Sequence, residues 1–346
     1  MVIVNNPGDW ATVYWPLLHA EWHGWTPTDL IFPFFLFIVG VSITLSRRTA
    51  TWPSILRRGA IIWGLGLFLA GYPFFRLATI RVPGVLARIA WCYVAAGFLV
   101  HAVGARGGRY RAIAVTVAVT LTGYWILLAM VPFPGGTPGD LTATGTIGAW
   151  LDRSLFGQHL WRGDDWDPEG LLSTLPAIGT TLLGVLAGWW IRDRSSPRAV
   201  VSGLLSWGLA GVVLGLVVST WLPINKSLWT SSYALFTAGL AASALAVCYW
   251  VCDTRTGPGM RLLTEPFVAL GRNAILLFVL SGLLAKTLIY VKWPDQQVSM
   301  GRWIYTAAFQ SLAPPQVASL LYAVANLALL YAVLAALHRR RTYLNV

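Results

Sequence analysis

Apolar runs of about 20 residues recur from one end of this chain to the other, separated by short polar stretches. They fall near 29–47, 58–75, 84–103, 111–131, 171–191, 199–219, 228–250, 267–287 and 315–337. Each is long enough to cross a hydrocarbon core of ~30 Å as a helix. The pattern predicts an all-α, polytopic membrane helix bundle with nine full transmembrane helices, built as a single domain over residues 1–346. Residues 301–312 (GRWIYTAAFQSL) are shorter and more amphipathic, and are expected to lie along the interface. Residues 132–170 form the longest connection, rich in Pro, Gly and Asp, and read as an irregular outer loop. Met1–Val4 is apolar but too short to span, with no basic stretch ahead of it as in a signal peptide. Alternation of the spans requires a helix entering before Asn5, so the chain is expected to begin near the end of a truncated first helix.

Composition agrees with the pattern. The 346 residues are 56% hydrophobic and 11% charged, against about 25% charged in soluble domains, and the mean hydropathy is +0.64. Nineteen tryptophans and twelve tyrosines suit interfacial belts. A net charge of +12 would point to nucleic acid if it formed one face. Here the basic residues sit in short clusters between apolar runs, as orientation signals do, so no nucleic-acid partner is expected. Arg47, Arg48, Arg57, Arg58, Arg106, Arg109, Arg111, Arg192, Arg194, Arg198, Arg255, Arg261 and Arg339–Arg341 give one set of alternate loops fifteen. The other set holds seven: Arg76, Arg81, Arg153, Arg162, Lys226, Lys292 and Arg302. The richer set is expected in the cytoplasm, with the C-terminus, which puts His19 outside. Cys92, Cys248 and Cys252 lie in or beside apolar runs and read as packing residues, not as a disulfide framework or zinc site.

Candidate chemistry concentrates ahead of the first full span, in PLLHAEWHGWTPTDLIFPFFLFIVG (16–40). His19, Glu21, His23 and Asp29 stand there against a hydrocarbon-length helix, where polar groups are costly to keep. His19 can act as a general base near neutral pH; it can equally be an interfacial histidine bonded to loop backbone. Asp29 can orient His19 and, without conflict, stabilise a helix N-terminus. Asn5 can offer an amide to a developing oxyanion, or serve a turn in Asn-Asn-Pro-Gly. Two further outer patches are candidate substrate-binding groups: Asp167 and Glu169 with Ser173 and Thr174, and Asn225, Lys226 and Trp229 in LPINKSLW, where Lys226 could hold a carboxylate or sugar hydroxyl. The first also reads as a helix cap, and Lys226 also reads as a snorkelling lysine. Arg88 and Arg272 lie within spans and must face the bundle interior or a polar cavity; with Arg57 and Arg58 they would suit a phosphorylated ligand. No P-loop, dinucleotide fingerprint or metal-ligand spacing is present, and Gly64-Leu65-Gly66 reads as helix packing.

VNNPG (4–8), LLHAEWHGWTPTDLIFPFFLFIVG (17–40), RVPGVLARIAWCY (81–93), DPEGLLSTLPAIGTTLLGVLAG (167–188) and LPINKSLWTSSY (222–233) resemble, in order, motifs of the heparan-alpha-glucosaminide N-acetyltransferase family. The resemblance implies acyl transfer across a membrane, from cytoplasmic acetyl-CoA to a sugar amine on the outer side, without a metal. His19 matches the family's catalytic histidine and Asn5 its active-site asparagine. His23 falls on an asparagine of eukaryotic members and receives no catalytic role. The family's early Asp-x-x-Arg-Gly element and lumenal N-terminal domain are absent from this sequence. The basic, tryptophan-rich chain resembles a bacterial member of an inner membrane, whose acceptor would be an amino or hydroxyl sugar of the envelope. A homodimer is compatible with all of this.

The leading reading is therefore an acetyl-CoA-dependent N- or O-acetyltransferase acting on a glycan at the bilayer, with His19 as base. A proton-coupled transporter or flippase for a sugar or lipid, using His19 and Asp29, is the alternative; the inverted repeats that would favour it are not found. An inactive membrane scaffold is a third.

Overall fold

The structure is a computed structural model that describes every residue except 47–50, 105–106, 164, 255–256, 293–296 and 344–346. Arg47, Arg48, Arg106 and Arg255 of the arginine-rich set thus lie outside the described residues.

Its helices are α1 (Val2–Asn5), α2 (Ile31–Leu45), α3 (Trp52–Gly71), α4 (Val85–Val103), α5 (Arg109–Met130), α6 (Ile147–Phe156), α7 (Thr174–Asp193), α8 (Pro197–Val218), α9 (Ser231–Cys248), α10 (Pro258–Arg272), α11 (Ala274–Tyr290), α12 (Met300–Ala308) and α13 (Pro315–Arg339). Among the described residues eight helices are long and apolar enough to cross a membrane: α2 with its leading turn, α3, α4, α5, α7, α8, α9 and α13. Residues Leu262–Arg272 and Ala274–Tyr290, bent by 73°, bring the number to nine if the pair counts as one broken span and leave it at eight if it is a re-entrant loop. That bend departs from the single straight span expected at 267–287. Asn273 both ends α10 and opens α11, with φ −122° and ψ 33°. The Gly271-Arg272-Asn273 triplet interrupts the apolar run, and its glycine and asparagine have poor helix propensity. At nine residues, α12 rises only ~14 Å and cannot cross.

Two helix pairs set the frame. The parallel α2 and α7 meet backbone to backbone: a Cβ on Gly40 would lie 1.9 Å from the Thr181 carbonyl oxygen, and one on Gly184 would lie 1.9 Å from that of Phe37. The antiparallel α8 and α9 approach in the same way, at Gly208 and Gly239. Small residues allow this contact where lipid supplies no hydrophobic drive between helices.

Connections gather at two ends, as the charge pattern requires. At one end Arg109 at the start of α5 pairs with Asp193 at the end of α7, and Arg192 donates to the Thr44 carbonyl at 3.2 Å. At the other, Trp22 Nε1 donates to Leu141 O (2.9 Å) and Val82 N to His159 O (3.0 Å). Tyr124 Oη donates to Leu228 O (2.6 Å) there as well. The second end carries the His19 stretch.

Candidate active site

Asp29 organises the loop that leads into α2. Its Oδ2 accepts from Ala20 N, Thr26 N and Thr26 Oγ1, at 3.0, 3.0 and 3.1 Å. Thr26 Oγ1 also donates to Leu18 O (2.6 Å), and Thr28 Oγ1 to Pro16 O (2.9 Å). The hydroxyls of Thr-Pro-Thr-Asp thus wrap residues 16–29 around one carboxylate, as a capping box does. Its other oxygen, Oδ1, lies 2.6 Å from His19 Nδ1. Asp29's side chain is 1% exposed and that of His19 is 52% exposed. The helix-capping role and the His-orienting role are both realised in one residue.

A second turn closes over this loop. Gly24 N donates to Ile224 O (2.8 Å), and Asn225 Nδ2 to Trp22 O (2.9 Å). Lys226 Nζ reaches 3.2 Å from Asp29 Oδ1, 2.9 Å from His19 Nδ1 and 3.4 Å from His19 Nε2. Burial pushes the Lys226 ammonium below the ordinary lysine value, while Asp29 and Glu169 pull against it. Asn225 is fully buried, and its Oδ1 accepts from Leu228 N at 2.8 Å. It braces the turn and presents nothing to solvent. Trp229 is also fully buried. It sits at φ +49°, in the left-handed region that a bulky residue seldom adopts. Its Nε1 donates to Thr180 Oγ1 (3.1 Å), and its ring packs edge to face with Phe32 and Tyr233. Tyr233 Oη donates to Asp29 O at 2.5 Å.

The acidic patch belongs to the same end. Arg81 Nε donates to Asp167 Oδ2 (2.8 Å) and Nη2 to Asp167 Oδ1 (2.5 Å), and Nη2 also reaches Glu169. Burial alone would lower Arg81, but these carboxylates hold it above its usual value. Sequence reasoning missed Arg81 as a site residue. Its signal was an arginine just ahead of α4, in a loop that must meet Asp-Pro-Glu.

Arg88 lies one turn into α4, fully buried. It donates to Gly170 O (3.1 Å) and to Ser173, and its guanidinium lies 5.1 Å from the Trp229 ring centre. Its Nε and Nη1 have no partner among the described residues. Arg58 and Arg272 share a different place, a cavity of about 170 Å³ that Phe35, Ser42, Tyr93 and Asn273 also line. Arg58 stacks 5.0 Å over Tyr93, and Arg272 donates to Tyr343 Oη at 2.9 Å. Arg57 is exposed on α3 and does not line this cavity.

The structure therefore brings His19, Asp29 and Lys226 together, with Asp167, Glu169 and Arg88 close by. Arg58 and Arg272 are brought together elsewhere. Asn5, at the end of α1, lines a second cavity, of about 250 Å³, with Asp9, Trp10, Ala285 and Arg302. None of His19, Asp29 and Lys226 lines that cavity. Among the described residues no group of three or more His, Cys, Asp or Glu side chains could hold a metal ion.

No family model matches the chain. The heparan-alpha-glucosaminide N-acetyltransferases of Mus musculus and Homo sapiens are each 30% identical to it, over 352 and 347 residues. Each match covers 81% of this chain and 50% of the relative. The chain thus spans about half the length of these curated relatives.

Proposed function

The chain belongs to the heparan-alpha-glucosaminide N-acetyltransferase family, and we propose that it is a membrane acetyltransferase moving an acetyl group from acetyl-CoA to an amino or hydroxyl group of a sugar. The observation that carries this reading is His19, half in solvent and held through Nδ1 on the buried Asp29 carboxylate. With its Nδ1 hydrogen directed at Asp29, the ring leaves the Nε2 lone pair for the acceptor. Nε2 takes the acceptor's N–H or O–H proton as that atom attacks the acetyl carbonyl carbon; the C–S bond breaks and the thiol of CoA leaves with a proton. Lys226 lies against the imidazole and Glu169 within electrostatic reach of Lys226, with Asp167 and Glu169 sharing Arg81. Asn225 and Trp229 serve the acceptor indirectly, by shaping the turn that delivers Lys226.

The donor's charged nucleotide suits the Arg58–Arg272 cavity, with Arg57 at its approach. Arginine forks recognise phosphate well, and the arginine-rich end is the one assigned to the cytoplasm. Along α4 only five residues, ~7.5 Å of rise, separate Tyr93 in that cavity from Arg88 under the His19 cluster. A slim, uncharged pantetheine arm matches this layer. The two donors of Arg88 without a partner among the described residues could then serve the thioester oxygen. Leu36, Tyr93, Trp229 and Tyr233 pack in one core cluster beside this layer, so room for the arm comes from the α10–α11 side.

The test is transfer of label from acetyl-CoA to glucosamine-bearing acceptors by the purified protein in nanodiscs. Label on the sugar that disappears in His19→Ala supports the assignment. Movement of unacetylated sugar across sealed vesicles, with no label transferred, sinks it in favour of transport.

A further inference from the structure

The chain has three lysines, Lys226, Lys286 and Lys292, and they stand in different chemical settings. Lys286 is tied up: its Nζ donates to Leu69 O, Ala70 O and Tyr72 O at 2.6, 3.2 and 2.9 Å, capping the carbonyl end of α3. Lys292 is exposed. Lys226 is neither. Its nitrogen lies within hydrogen-bond reach of the imidazole of His19, at 2.9 and 3.4 Å from the two ring nitrogens. A primary amine held against a general base is the arrangement the acceptor itself must adopt to be acylated. Three features distinguish this amine from an ordinary surface lysine. The side chain is only 24% exposed. The turn that carries it is pinned by Asn225 and Trp229. The one carboxylate it touches, Asp29, already accepts from Ala20 N, Thr26 and His19.

We propose that Lys226 is an internal acetyl acceptor: when no sugar occupies the site, the acetyl group passes to Lys226 Nζ, and the resulting acetyl-lysine silences the centre. The inference rests on the acetyl-transfer reading above. Lys226 first releases its ammonium proton to solvent. The neutral nitrogen then attacks the acetyl carbonyl carbon, an N–C bond forms and the thioester C–S bond breaks. The second proton goes to His19 Nε2, the ring nitrogen that the Asp29 contact leaves unprotonated and that lies 3.4 Å from Nζ, and from there to the departing sulfur, giving free CoA thiol. Burial of the lysine favours the neutral amine that this step needs. The product is an amide, which His19 has no means to return to CoA. It also removes the cation from beside Asp29 and fills the space at the imidazole. A bound sugar amine, by competing for the same nitrogen position, protects the lysine.

The experiment incubates the protein in nanodiscs with ¹³C-acetyl-CoA and reads all three lysines by peptide mass spectrometry, with and without saturating glucosamine. Lys226 is expected to label about tenfold faster than Lys292, and ~10²-fold or more slowly in His19→Ala, where the base is gone. Glucosamine suppresses the label. Acetylated glucosamine with Lys226 labelled no faster than Lys292 overturns the proposal while leaving the acetyltransferase reading intact. If acetyl-CoA is consumed by neither sugar nor lysine, the acetyltransferase reading fails instead. N-acetylimidazole, a free acetyl donor, then tests Lys226 by itself: faster labelling than Lys292 upholds it as the reactive amine, and equal labelling ends the idea.

Discussion

His19 Nδ1 and Asp29 Oδ1 lie 2.6 Å apart across ten residues of loop, with one side chain half in solvent and the other sealed. The same carboxylate receives Ala20 N and Thr26 N, so the position of the imidazole is set by the backbone of its own loop. Ring orientation is thereby decided before any acceptor arrives. Such preorganisation is what a general base requires.

Removing either partner therefore separates chemistry from folding. His19→Ala takes away a base worth ~10²–10⁴-fold in rate and, being half exposed, costs little stability. Asp29→Asn loses rate and also unsettles residues 16–29, at about 1–3 kcal/mol for its mismatched buried hydrogen bonds. Acetyl transfer assays paired with thermal unfolding check both. A His19→Ala protein within a few-fold of the parent's rate would remove the imidazole from the mechanism.

Asn5 asks whether two cavities form one reaction centre. The family resemblance gives it an oxyanion, and loss of one such donor costs ~10²–10³-fold in turnover. Asn5→Ala is expected to lower kcat to that extent with acetyl-CoA affinity held. Turnover preserved to within a few-fold would leave Asn5 as a lining residue of the cavity it shares with Arg302.

Asp152 predicts a pH-dependent stability. Burial, with Asp167 nearby, pushes its carboxyl from 3.8 up to about 6, although Leu171 N donates to it. The folded chain then holds this proton more tightly than the unfolded chain does. Stability from this group is full below the unfolded value and is lost as pH rises through about 6. Asp152→Asn keeps an acceptor for Leu171 N and has no proton to lose. Its melting temperature should exceed the parent's above about pH 6 and converge with it towards about pH 4. A gap that does not change with pH would assign the effect to packing.

Arg58 and Arg272 should bind the donor without touching the transfer step. Each charged hydrogen bond contributes about 1.5–3 kcal/mol, so alanine at either raises the KM for acetyl-CoA by about tenfold to a hundredfold, with kcat kept. High salt should shrink the difference. A fall in kcat at unchanged KM would place these arginines in the chemistry.

Orientation is open to direct labelling. In a background without Cys92, Cys248 and Cys252, Ala11→Cys should react with an impermeant thiol reagent from outside intact cells, and Ser196→Cys only after permeabilisation. The reverse pattern would invert the bilayer assignment and, with it, the approach route of acetyl-CoA.

The spans were legible because apolar runs of helical length have few other uses. His19 and Asp29 were legible because one short segment holds both. Depth was less so. Arg88 and Arg272 both read as arginines within spans, yet one lies at the His19 end of α4 and the other at the bend before α11, a difference set by where each helix starts and breaks. Asn225 and Trp229 looked like ligand contacts because polar and aromatic residues in an outer loop usually are. Folding spends them on the turn's interior, where Asn225 ties Leu228 N to Trp22 O. Arg58 and Arg272 stood out as candidates for a phosphorylated ligand, but the cavity they share did not, since its walls come from α2, α3, α4 and the bend at Asn273.

The direct contact of Gly40 with the α7 backbone, and of Gly184 with that of α2, leaves no slack between these two helices. They form one close-packed mast, with Asp29 at its head and Ser42 further down, beside the Arg58–Arg272 cavity. A reactive fragment passing through the thickness of the protein meets a fixed wall on that side. The give must come from the opposite wall, where α10 and α11 meet at a joint of 73° with a single asparagine between them. On the proposed reading the yielding wall and the chemistry are mounted on separate parts, so room for the donor would open without loosening the grip on His19.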